Sequence, residues 1–61
     1  MSIKYDPAAD RGQQWTVSVD GQTLTNTSQA VVRSLLHKSG LSLTKADAAI
    51  AEAKLAAVVP N

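Results

Sequence analysis

The chain has no cysteine and no phenylalanine, and only one histidine among its 61 residues. Without cysteine there are no disulfides and no thiolate metal sites. With one histidine there is no His cluster. Those are the usual staples of a chain whose single core supplies about 3–5 kcal/mol, as is typical below roughly 70–80 residues. Self-association or a partner is the staple that remains. Long apolar runs are also missing: none approaches the ~20 residues of a spanning helix. Charge of one sign is scarce too. Six basic and five acidic residues leave a net charge of +1, so no strong long-range pull toward nucleic acid or membrane is expected.

The first residues, Met1-Ser2-Ile3-Lys4-Tyr5-Asp6, turn polar at once, unlike a signal peptide. Together with the lack of cysteine, this makes a cytoplasmic protein with no membrane partner and no cofactor the expectation. By size alone, a viral source is the expectation. What the chain does have is a 44% hydrophobic fraction, enough to fold as one small domain. Much of that fraction is alanine. The core must therefore rest on Trp15 and on Leu, Ile and Val.

The stretch from Val31 to Ile50 organises the rest. It reads as a helix, a turn on Gly40 and a second helix. Asn26, with Gln29 three residues on, suits a variant capping box for the first helix, over about 27–39. Val31, Val32, Leu35 and Leu36 form its apolar stripe. Gly40 can end it in a left-handed conformation, with Leu41 reaching back to Leu36 in a Schellman arrangement. The second helix is predicted over about 44–58. Thr44 is its cap, with Asp47 as box partner and a Leu43–Ala48 staple; Ser42 is the alternative cap. Pro60 stops it.

Upstream, Trp15, Val17 and Val19 alternate with polar residues over about 14–19, as a half-buried strand does. Asp20-Gly21 is the pair that a two-residue type I′ turn requires. Folding there sets Val19 opposite Gln22, Ser18 opposite Thr23 and Val17 opposite Leu24, in a second strand over about 22–25. Thr16, Ser18, Thr23 and Thr25 then share a polar face. Residues 2–5 alternate as a short strand would. Asp6-Pro7 punctuates, opening either one helical turn that Gly12 ends or an irregular loop, and the loop is the preferred reading. The fold class is α+β: a β-hairpin, with or without an N-terminal third strand in an antiparallel sheet, packed by two C-terminal helices.

No residues gather into a reaction centre. His37 sits between Arg33 and Lys38, cations that would weaken it as a base, and near a helix C-terminus where positive charge is favoured. Asp6, Asp10, Asp20, Asp47 and Glu52 show no acid–base pairing. Gly12, Gly21 and Gly40 are isolated, so no phosphate loop exists. Trp15 reads as core rather than as an exposed anchor. A non-enzymatic protein is expected.

Residues 32–46 resemble the helical hairpin in the C-terminal domain of the bacterial ribosomal stalk protein. The match is Gly40, Leu41, Leu43 and then Ala46 three residues further on. The resemblance covers about a quarter of the chain. It implies a helical hairpin that packs on a sheet and docks protein through an apolar and basic face. Val32 and Arg33 keep that character, whereas Leu36 and Asp47 fall where the family has basic residues. The family's later strand, helix and strand are missing.

Two functions are therefore expected from different classes. The first is a small protein-binding module, a regulator or inhibitor. At 100° per residue, the second helix carries Leu43, Ala46, Ile50, Ala53 and Ala57 on one side, and Ala48, Ala51, Leu55 and Val58 on the other. One side covers the hairpin; the other is left for a partner, either another protein or a second copy. The alternative is a DNA-binding regulator with a helix-turn-helix outline. There Arg33, His37, Lys38 and Lys45 would meet phosphates, although Thr44-Lys45-Ala46-Asp47-Ala48 offers little to base edges.

Overall fold

The structure, a computed structural model, describes residues 1–58, the side chain of Val58 excepted. The order of elements is β1 (Ser2–Tyr5), β2 (Trp15–Val19), β3 (Gln22–Thr27), α1 (Gln29–Lys38) and α2 (Leu43–Val58). The predicted stop at Pro60 lies outside the described residues. The three strands form one antiparallel sheet with β2 in the centre. Its architecture is α+β, and the N-terminal strand does join the sheet.

Asp20 and Gly21 both take positive φ, 51° and 77°, as a type I′ turn demands. The register that follows is the predicted one, with Val19 opposite Gln22, Ser18 opposite Thr23 and Val17 opposite Leu24. Beyond Leu24 the ladder shifts. Trp15 pairs with Thr27, so Thr25 and Asn26 together face Thr16 in a β-bulge. Asn26 sits at φ 55°, a conformation asparagine tolerates better than most residues. The bulge overturns the expected cap. Asn26 stays in β3, which runs on to Thr27, and Ser28 caps α1 instead. Ser28 has extended backbone (φ −92°, ψ 162°) and its Oγ accepts the Val31 N–H at 3.3 Å. Helix α1 therefore begins two residues later than predicted. A serine cap of this kind contributes about 1 kcal/mol.

The end of α1 is a Schellman motif. The Gly40 N–H donates to the His37 carbonyl and the Leu41 N–H to the Leu36 carbonyl, both at 3.1 Å. Gly40 has φ 115°, which a side chain would resist. Ser42 caps α2, its Oγ accepting the Lys45 N–H at 3.2 Å. The alternative cap is thus the one used, and α2 starts at Leu43.

The segment between β1 and β2 is a loop of two turns closed at its base. The Asp6 N–H donates to the Gln14 carbonyl at 2.8 Å, and the Asp6 side chain accepts the Ala8 N–H at 3.0 Å. Both helices cover the same face of the sheet, α1 over β2 and α2 over β1. The core consists of Trp15, Val17, Val32, Leu36, Ala46 and Ile50, with Ile3, Tyr5, Leu24 and Leu41 packed around it. Leu36, Val17 and Val32 are fully buried, each contributing about 1.5–3 kcal/mol. Tyr5 lies against Trp15, ring centroids 4.6 Å apart at 38°. The other sheet face carries Thr16, Ser18, Thr23 and Thr25, with Thr23 Oγ1 donating to Ser18 Oγ at 3.1 Å. Among the described residues that face carries no buried apolar side chain, and both helices lie over the other face.

Candidate functional site

Helix α2 is apolar on more sides than the core can use. Ala46 and Ile50 point inward and are buried; Ala49 and Ala53 are half-buried beside them. Ala48, Ala51 and Leu55 point away from the core, and Leu55 is 61% exposed. Three of the four residues expected on a partner face are therefore exposed among the described residues. The fourth, Val58, ends the helix, but its side chain lies outside the described residues. The row containing Asp47 faces α1, because Arg33 reaches across to it. The opposite flank of α2 faces the edge strand β1.

On that flank is a surface that the helical pattern alone did not single out. Ala53, Ala56 and Ala57 stand off from β1 and leave a groove of about 340 Å³ over Ile3 and Tyr5. A second hollow of about 330 Å³ adjoins it and shares Ile3, Ala53 and Ala56; Met1, Ala49 and Glu52 complete it. Strand β1 is an edge of the sheet, so its outer backbone groups are available beside the groove. The sequence signal is the run Ala49, Ala53, Ala56, Ala57 along one flank, which also reads simply as good helix formers.

The basic residues expected to contact an anion or nucleic acid are not gathered for that purpose. Arg33 Nε donates to Asp47 Oδ1 at 2.8 Å, and its Nη2 to Oδ2 at 3.4 Å. This hydrogen bond, with the charge of Asp47 behind it, raises the Arg33 pKa further above its already high value. Both side chains are about half exposed, so the pair adds little to the stability of the fold. His37 Nδ1 lies 3.0 Å from the Leu41 carbonyl. A carbonyl only accepts, so the ring nitrogen donates, and the histidine ties off the end of α1. Lys38 and Lys45 are exposed. Of the residues matched to the stalk-protein hairpin, Val32 is fully buried and Arg33 is held by Asp47.

Trp15 is 2% exposed and belongs to the core. Among the described residues, no three His, Cys, Asp or Glu side chains converge as a metal site would need. No helix among them is long and apolar enough to cross a membrane. No family model, no curated protein and no solved structure matches this chain.

Proposed function

We propose that this protein is a small non-enzymatic binding module that docks another protein through α2, acting as a regulator or inhibitor by occupying its partner. One observation carries the reading: Leu55 is 61% exposed, in one row with exposed Ala48 and Ala51, on the face turned away from the core. A lone exposed apolar residue is ordinary. Here it sits on a helix whose adjacent flank opens onto a groove lined by alanines, Ile3 and Tyr5 together with Lys4, Asp6, Gln14 and Thr16, and onto an edge strand of the sheet.

Magnitudes separate the two kinds of partner. Covering the exposed part of Leu55 on two copies yields roughly 2–4 kcal/mol, and including Met1, itself 70% exposed, roughly doubles that. Association costs about 4–15 kcal/mol. A symmetric dimer on this face is therefore weak, and a partner that also fills the groove gains more.

The test is molar mass by light scattering over a concentration series, with pull-down from an extract of the source cell, for the native chain and for Leu55→Asp. The expected result is a variant with an unchanged denaturation midpoint that has lost its partner or its concentration-dependent mass. A native chain that stays monomeric and captures nothing that Leu55→Asp fails to capture sinks the proposal. Salt-dependent retention of the native chain on duplex DNA, abolished by Lys38→Gln and Lys45→Gln, would replace it with the nucleic-acid reading.

A further inference from the structure

A third cavity, of about 330 Å³, opens where the β1–β2 loop, the start of α1 and the last turns of α2 converge. What lines it is rich in hydrogen-bond donors. Arg11 enters from the loop and Lys54 from α2; both are exposed, neither has an ion-pair partner among the described residues, and no Asp or Glu lines the cavity. Helix α1 presents its N-terminus there with no acidic residue in its first turn. Ser28 uses its oxygens for the Val31 and Val32 N–H groups. The N–H groups of Gln29 and Ala30 are left without a backbone or side-chain partner among the described residues.

A second, independent feature points the same way. Trp15 is 2% exposed, yet its indole N–H makes no hydrogen bond among the described residues. No fully buried side-chain nitrogen or oxygen lacks a partner, so the indole N–H retains a small opening. Of the cavities described above, Trp15 lines this one alone. An indole N–H only donates, so a group entering through that opening can accept from it.

From this arrangement we propose an anion-binding site that takes a phosphoryl group, held by Arg11 and Lys54, the Gln29 and Ala30 N–H groups, and the Trp15 indole N–H. Donors arrive from three sides, which suits three non-bridging oxygens better than the planar pair of a carboxylate. The field at a helix N-terminus favours the negative charge. This site is separate from the outward face of α2 and stands or falls independently of it.

The experiment titrates the native chain with inorganic phosphate at constant ionic strength held by chloride, with acetate as a parallel arm, and follows ¹⁵N–¹H resonances. The single tryptophan gives one indole signal. The expected result is a saturable shift of the indole, Gln29 and Ala30 signals with phosphate, and little with acetate. Arg11→Gln and Lys54→Gln should each weaken it about tenfold, the loss of one charge-assisted hydrogen bond, while Lys45→Gln leaves it unchanged. Both targets are exposed, so the fold survives the change. No saturable shift, equal shifts with acetate, or shifts that persist in the Arg11→Gln/Lys54→Gln double variant would each overturn the assignment.

Discussion

Replacing Gly40 by alanine should destabilise the protein through its backbone alone. A Cβ built at Gly40 meets nothing within 4 Å, so no packing term enters. What remains is φ 115°, well beyond the narrow left-handed region that L-residues visit. Holding a side chain there costs about 1–3 kcal/mol. A chain of 61 residues has a total stability of about 3–9 kcal/mol, so the loss is a large fraction of it. Urea denaturation followed by Trp15 fluorescence reads the change. With a slope near 1 kcal/mol/M, the low end for small proteins, the midpoint falls by roughly 1–3 M. Gly40→Asn should fall less, since asparagine tolerates positive φ. Alanine leaving the midpoint unchanged would refute the Schellman turn. Alanine raising it would mean that α1 and α2 run on as one helix, and the core described above could not form.

Three further outcomes follow from the same structure. Leu36→Ala removes a fully buried side chain and should cost about 2–5 kcal/mol, close to unfolding the chain; a midpoint near that of the native protein would count against the core. Gly21→Val places a β-branched residue at φ 77° and should cost more than the roughly ±0.5 kcal/mol of an ordinary surface change, measured the same way. A double-mutant cycle on Arg33 and Asp47 should give a small favourable coupling that fades as salt is added, and a coupling indifferent to salt would contradict the half-exposed geometry of the pair.

The hairpin and the helix end were legible because local chemistry and burial pattern agreed there. Asp20-Gly21 specifies a turn, and the turn brings Val17 to Leu24 on the Trp15 face. Gly40-Leu41 likewise specifies both a backbone conformation and a contact. Asn26 was not legible, because asparagine suits both an N-cap and an isolated left-handed position. Only the pairing of Trp15 with Thr27 decides between them. Asp47 read as a local capping partner, but its ligand is Arg33, fourteen positions away, and that pairing exists only once the two helices have their angle. The apolar outer face of α2 could be read from spacing. The groove beside β1 could not, since it depends on which edge of the sheet β1 occupies. The donor-lined cavity was hidden for the same reason. Arg11, Gln29 and Lys54 come from three separate elements, and nothing in their spacing joins them.

The placement of α2 over β1 sets the order in which the chain can assemble. Strands β1, β2 and β3 pair with sequence neighbours, and α1 meets α2 across a short turn. Those contacts close short loops and form early. The contact between α2 and β1 alone joins the last element to the first, and it carries the largest loop-closure entropy. Until it forms, Ala46 and Ile50 have only α1 to cover them. The seating of α2 on β1 is thus the last step in closing the core, and the amide protons of β1, an edge strand, should exchange well ahead of those in central β2.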